Sequence, residues 1–462
     1  MAQPTYEQLA AENQDLRRQV AELHAQVQRL TAQLQEALRS SKRQAAPFSK
    51  GEPKANPKTP GRKAGDNYGP QAHRPIPRGA PDQVIDVPLP ERCSHPGCGG
   101  TVVEDHIGQQ YQTEIPRQPI HRRFDLHIGH CTLCGRRLQP RHPLQTSDAL
   151  GAAASQLGPD AQAAVVHLNK FAGLSQGKVA DYFQTLFGIA LTPSGVCHVL
   201  ARAARRGEGL YQRVLASVPQ APWIVPDETG WRIGGRQAWM HGLVTPTATV
   251  YHVARGRGYE VAAAIIGSGY TGQLIHDGWS PYDRFFDASH QQCLNHLRTR
   301  CRELLQTALG GAARFPRQIY DLLTAALALR DRRENRQLSP HGLAIATGRI
   351  EARLDRLLHW TRTDADNERL AKHLAKHRRQ LFTFLKVPGL DATNWRAEQA
   401  MRLAAVNRKV WGGNRTEVGA HTQSVLMTLL ATCRQQARDS IDSLSAMLRG
   451  RRLRLALLPA GP

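Results

Sequence analysis

The chain has 462 residues, of which 61 are Lys or Arg and 38 Asp or Glu, for a formal net charge of +23. That length allows two to four domains, and 41% apolar residues suits globular cores. The basic balance points to a polyanionic partner, nucleic acid by default. A membrane protein is not expected, because no apolar run approaches bilayer-spanning length. The opening "MAQPTYEQLAAENQDL" has no charged-then-apolar signal layout, so a cytoplasmic location is expected. The eight cysteines are Cys93, Cys98, Cys131, Cys134, Cys197, Cys293, Cys301 and Cys433. Four cluster and four scatter, which favours reduced and metal-bound thiols over a disulfide framework.

Residues 1–40 carry a heptad seam. Leu9, Leu16, Leu23 and Leu30 fall at one core position; Asn13, Val20, Val27 and Leu34 fall at the other. Leu at d with Val and one Asn at a predicts a parallel coiled-coil homodimer, or a higher oligomer built on it. Residues 41–90 are rich in Pro, Gly, Lys and Arg with no period, and read as a basic flexible linker.

Residues 91–140 contain "RCSHPGCGG" and "GHCTLCGRR". Cys93, Cys98, Cys131 and Cys134 form two pairs, each followed by glycine, the pattern of a structural, zinc-ribbon-like Zn²⁺ site. His95, His106, His127 and His130 are nearby replacements for one ligand. Residues 141–215 read as helical. "SQGKVADYFQTLFG" stops at Gly188, and the next helix starts with Thr192 as cap and Pro193 in its first turn. This suits a helix-turn-helix DNA-binding region, with ordinary helical packing as the other reading.

Residues 216–300 change texture. "APWIVPDETGWRI", "QAWMHGLVT" and "ATVYHVAR" read as three strands in antiparallel pairing. "EVAAAIIG" reads as a short helix, "GQLIHDGW" as a fourth strand, and "HQQCLNHLRTRCRELL" as the lead into a helix. Three antiparallel strands, a helix and a further strand is the order of a ribonuclease-H-like α/β core. Residues 301–390 are helical and basic and interrupt that core. Residues 391–440 resume it with a helix beginning near Thr393 or Asn394, and residues 441–462 read as a basic tail.

Asp227 and Asp277 each follow an apolar strand, and Glu398 stands near the start of a later helix, where the dipole favours an anion. Three such carboxylates suit two Mg²⁺ ions, with Mn²⁺ as an alternative, in phosphoryl transfer. Each also reads singly as a solvated acid, and Asp277 as the start of an Asp-Gly turn. Asp283, Asp287 and Glu417 are neighbouring acids read as solvated or in loops. Glu228 is expected to face away from Asp227, since neighbouring strand residues alternate. Cys293 and His296, in "CLNH", have metal-like spacing and read as framing the site.

"DETGW", "HDGWSPYDRF", "CLNHLRTR" and "NWRAEQAMRLAAVNRKVWGGNRTEVGAH" resemble the bacterial insertion-sequence-66 family of DDE transposases. That family has its acids in a D-E-T segment, a D-G-x-x-x-Y segment and an N-x-x-E-R-x-x-R segment, which correspond to Asp227, Asp277 and Glu398. Gln399 stands where the family usually has Arg. The resemblance implies a ribonuclease-H-like fold split by a helical insertion. It also implies Mg²⁺-dependent cleavage at transposon ends with transfer of the 3′-hydroxyl into target DNA, a nucleoid-associated location, and small accessory proteins of the same element. The alternatives are a non-enzymatic DNA-binding derivative of the fold and a nuclease without strand transfer.

Overall fold

The computed structural model describes residues 6–43, 77, 79–113, 115, 118–145, 147–151 and 156–457. Most of the expected linker and the last five residues therefore lie outside the described residues. The chain divides into two units, residues 1–120 and 121–462.

In the first unit, helix α1 spans Tyr6–Arg43. Its seam residues Leu16, Val20, Leu23, Val27 and Leu30 are each more than half exposed. Beyond the undescribed segment, Cys93 N–H donates to Gly100 O at 2.8 Å and Cys98 N–H to His95 O at 3.0 Å. An antiparallel bridge between Arg92 and Thr101 closes this turn.

The second unit opens with an antiparallel ribbon of β1 (Gly129–His130) and β2 (Arg137–Leu138). Cys131 and Cys134 lie in its turn. Gly135, at φ 67°, sends its N–H back to Cys131 O at 2.8 Å, a left-handed conformation that glycine adopts without strain. Helices α2 (Pro159–Lys170), α3 (Gln176–Phe187) and α4 (Pro193–Ser217) follow. Gly188 ends α3, and the Thr192 side chain caps α4 by accepting from Gly195 N–H at 3.0 Å. The α4 helix runs past its arginines to Ser217, because apolar residues continue at helical spacing through Leu210, Tyr211 and Val214, all buried.

The three expected antiparallel strands are β3 (Trp223–Ile233), β4 (Arg236–Val244) and β5 (Thr249–Ala254). Helix α5 (Tyr259–Ile266) then leads to β6 (Gln273–His276), parallel to β3. A fifth strand, β7 (Ser289–Gln292), pairs parallel with β6. The sheet order is β5-β4-β3-β6-β7. The sequence reading had this last strand as a lead-in to the following helix, because Ser-His-Gln-Gln lacks apolar residues. The structure buries it by satisfying its amides. Gln291 donates to Leu381 O at 3.0 Å and accepts from Phe384 N–H at 2.9 Å. A buried polar side chain is tolerated when so paired.

Helices α6 (Leu294–Thr307), α7 (Arg314–Glu334), α8 (Pro340–Leu358), α9 (Ala365–Lys376) and the short α10 (Thr383–Lys386) form the helical segment between the sheet and α11 (Trp395–Trp411). Its core is continuous with one sheet face: Val225, Val244 and Ile275 pack with Leu294, Leu322, Leu374 and Ala397. Helix α12 (Glu417–Gln435) then closes the sheet. The edge strand β5 donates from Thr249, Tyr251 and Val253 to the hydroxyls of Thr432, Thr428 and Ser424, at 3.2, 2.9 and 3.0 Å. Hydroxyls four residues apart on a helix thus stand in for a neighbouring strand, and the edge is covered. The segment read as a tail begins with helix α13 (Ser440–Leu448), and Leu453 beyond it is buried. Among the described residues no helix is long and apolar enough to cross a membrane.

Candidate active site

The acids are positioned by sheet register. Strands β3 and β6 pair at Trp223 opposite Gln273 and Ile224 opposite Leu274. Asp227, within β3, and Asp277, one residue past β6, each lie four residues beyond the first of these rungs. Alternation along a strand then sorts the side chains between faces. Val225 and Ile275 pack with Leu294 and Ala397, from α6 and α11. Ile224 and Leu274 pack on the other face, with Ala262, Ile265 and Tyr282. By alternation Asp227 continues the first set and Glu228 the second, while Asp277 follows the end of its strand.

Helix α11 packs on this first face, and Met401 lies close over a glycine there. Gly242 stands opposite Asp227 in the antiparallel β3–β4 register, and a Cβ there would run into Met401 Sδ. Further along, Arg408 Nη1 donates to Thr229 Oγ1 at 3.0 Å and to Gly230 O at 2.6 Å. Past the helix end, Trp231 Nε1 donates to Asn414 Oδ1 at 2.8 Å. The helix is thus held along β3, and Glu398, in its first turn, comes near the strand ends.

Among the described residues the donor atoms of Asp227, Asp277 and Glu398 do not all come within 4.8 Å of one another, but the charges of Asp277 and Glu398 are felt at Asp227. The Asp227 carboxyl is pushed up to about 7, first by burial, then by the charges of Glu228, Asp277 and Glu398; the Glu228 N–H, donating to Oδ1 at 2.9 Å, opposes the rise. Asp277 Oδ1 accepts from Trp279 N–H at 2.9 Å, so its carboxylate also begins the turn that "DG" suggested. Self-repelling acids of this kind are relieved by a cation, and an all-oxygen carboxylate set suits a hard one.

Glu228 is engaged on its own side. Arg257 Nε donates to Oε1 and Tyr282 Oη to Oε2, each at 2.9 Å. The Arg257 guanidinium lies 4.7 Å and 3.9 Å from the Trp239 and Trp279 ring centres. Burial and the Glu228 charge hold the Tyr282 hydroxyl well above its usual range. The sequence reading separated Glu228 from Asp227 by parity but missed Arg257 and Tyr282, which reach it from 29 and 54 residues away. No local pattern signals pairs so distant.

The remaining candidates sort as follows. Asp283 pairs with Lys376 at 2.7 Å, and Glu417 with Arg255 at 2.6 Å. Glu417 starts α12 rather than lying in a loop, because the Thr416 side chain caps that helix. Cys293 is fully buried at the start of α6, and burial pushes its thiol up to about 11. Its Sγ accepts the Asn394 N–H at 3.4 Å, which ties the start of α6 to the start of α11. His296 Nδ1 lies 3.7 Å from Glu398 Oε1. Asn394 is the N-cap of α11 by position, but its side chain makes no cap hydrogen bond. The two cysteine turns each direct N–H groups at sulfur. Gly100 N–H holds the Cys98 thiol below its ordinary value, and the N–H groups of Cys134 and Leu133 do the same for Cys131.

A mixed sheet that carries Asp227 within β3 and Asp277 just past the end of the adjacent parallel strand β6, in a chain of net charge +23, suits a DNA-processing enzyme. The chain belongs to the transposase IS66 family, whose model matches residues 154–422, more than half of its length. Membership makes transposition its class of function and DNA its partner. A comparison with curated proteins finds no match.

Proposed function

We propose that the protein is a DDE-type transposase that cleaves DNA at the ends of its element and joins the freed 3′-hydroxyls to target DNA. The observation that carries this reading is the buried Asp227 carboxyl, raised first by burial and then by the charges of Glu228, Asp277 and Glu398, in a chain of this family. The sheet order, three antiparallel strands followed by two parallel ones, supports a ribonuclease-H-like core interrupted by α7–α10. Asp227, Asp277 and Glu398 would hold two Mg²⁺ ions, or Mn²⁺ in their place. Bound there, such ions supply the positive charge that in-line phosphoryl transfer needs at its attacking and leaving oxygens.

The chain's own residues do the rest. Asp227, raised toward neutrality, is a strong acceptor for positive charge. Arg257, held by Glu228 and stacked against Trp279, fixes the turn that carries Asp277. Arginines on α4 and on the helical segment between α6 and α11 bind DNA through phosphates, a contact that is strong and indifferent to sequence. Each cysteine turn offers a pair of thiols of the chemistry that Zn²⁺ takes. Pairing of α1 with a second copy brings two protomers to an element with two ends.

The test is Asp227→Asn. The variant is expected to bind element-end DNA like the parent and to lose Mg²⁺-dependent cleavage. Full cleavage by the variant would overturn the assignment.

A further inference from the structure

Glu398 is shared between two donor sets of different chemistry. Toward the strand ends it joins the carboxylates of Asp227 and Asp277. On its other side, donor atoms of Cys293, His296 and Glu398 all lie within 4.8 Å of one another. We infer that Cys293, His296 and Glu398 form a second cation site, selective for a thiophilic divalent ion such as Zn²⁺, whose occupation withdraws Glu398 from the catalytic acids.

The donor set carries the selectivity. One sulfur, one imidazole nitrogen and one carboxylate oxygen suit Zn²⁺, which takes three protein ligands and leaves a fourth position open. Mg²⁺ avoids thiols and demands octahedral oxygen. Backbone N–H groups converge on the sulfur, although burial keeps it a thiol until a cation displaces the proton. Cys293 immediately precedes α6, and the N–H groups of Asn295, His296 and Asn394 are directed at its Sγ. His296 stands at the third position of α6, so Cys-x-x-His puts both donors in the first helical turn.

Two further observations point to a ligand. The Asn394 side chain is completely buried, and neither its oxygen nor its nitrogen has a partner among the described residues. Buried amides of that kind ordinarily serve a bound group or water. The site also has an entrance, since the His296 and Glu398 side chains are 46% and 34% exposed while Cys293 forms the floor.

The consequence for activity rests on the role proposed above for Glu398; the binding of the ion does not. With Zn²⁺ on Cys293 and His296, Glu398 completes that site, and the Asp227–Asp277 pair loses its third acid. The protein would thus be held inactive by a thiophilic ion and released when the ion is removed.

The test uses the full chain, its Cys293→Ser variant and its His296→Ala variant, each freed of metal and titrated with Co²⁺. The sulfur-to-cobalt charge-transfer band and the equivalents bound are read. The parent is expected to bind one equivalent more than either variant. Equal binding by all three overturns the site. The His296→Ala change, at a half-exposed position, keeps the test decisive if Cys293→Ser fails to fold. In parallel, Mg²⁺-dependent cleavage of end DNA is measured with and without added Zn²⁺. The parent should lose at least ~10-fold, with the ratio much reduced in His296→Ala, on the scale at which a lost metal contact acts. An extra equivalent of Co²⁺ without inhibition by Zn²⁺ leaves the cation site standing and overturns the shared role of Glu398.

Discussion

Asp227 and Asp277 lie four residues beyond one rung of the sheet, Trp223 opposite Gln273, on adjacent parallel strands. Asp227 stands within β3, whereas Asp277 follows the end of β6 and begins a turn, its Oδ1 accepting from Trp279 N–H at 2.9 Å. Burial and neighbouring negative charge act together on Asp227, and stability measurements can detect them.

The first consequence is a pH dependence. The Asp227 carboxyl titrates near 7 in the folded protein and near ~3.9 in an unfolded chain. Between those values the folded state keeps a proton that the unfolded state has released. Stability is therefore full below about pH 4 and falls as pH rises toward about 7. Asp227→Asn should raise the stability of the metal-free protein at pH 8 by roughly 2–4 kcal/mol, and should blunt the rise that Mg²⁺ produces in the parent. Thermal melting against pH, with and without Mg²⁺, checks both. A variant melting curve with the parent's pH slope would remove Asp227 as the source.

Gly242 is the second point of leverage. Its missing side chain admits Met401, three residues after Glu398 on α11. Gly242→Ala should cost about 1–3 kcal/mol through overpacking and should reduce DNA cleavage by moving Glu398. Adding Met401→Ala removes the collision and should restore part of the cleavage without restoring stability. Cleavage assays beside urea denaturation separate the two effects, and an active, unshifted Gly242→Ala would show that α11 is free to move.

The hydroxyl stripe on α12 gives a third prediction. Thr428 Oγ1 accepts from Tyr251 N–H at 2.9 Å and donates to Tyr251 O at 3.3 Å. Thr428→Val keeps the shape and strands the Tyr251 N–H, while Tyr251 O keeps the Tyr211 hydroxyl at 3.2 Å, so about 1–3 kcal/mol should be lost. Equilibrium denaturation measures it; a midpoint equal to the parent's would mean the edge strand is held by packing alone.

The fourth concerns α1. Its exposed Leu16, Val20, Leu23, Val27 and Leu30 need a partner to be buried. Removing residues 1–40 should lower the mass found by light scattering. An unchanged oligomer would place association elsewhere on the chain.

Much of this protein was legible because the rules involved are local. Seven-residue spacing marked α1, and Thr192 with Pro193 marked the start of α4. Alternation and tight turns marked β3, β4 and β5, and strand parity separated Glu228 from Asp227. Each rests on contacts between residues a few positions apart, which composition and period record directly. Tertiary structure alone decided the rest. Strand β7 carries no apolar signal, because its burial depends on amide partners nearly a hundred residues away. The α12 hydroxyls gain their role only when β5 lies against them. "CLNH" showed a pair, and only the joining of α6 to α11 through Cys293 and Asn394 added Glu398 to it. Long-range hydrogen bonds and shared ligands leave no period in a sequence; they exist only once the chain has brought distant residues together.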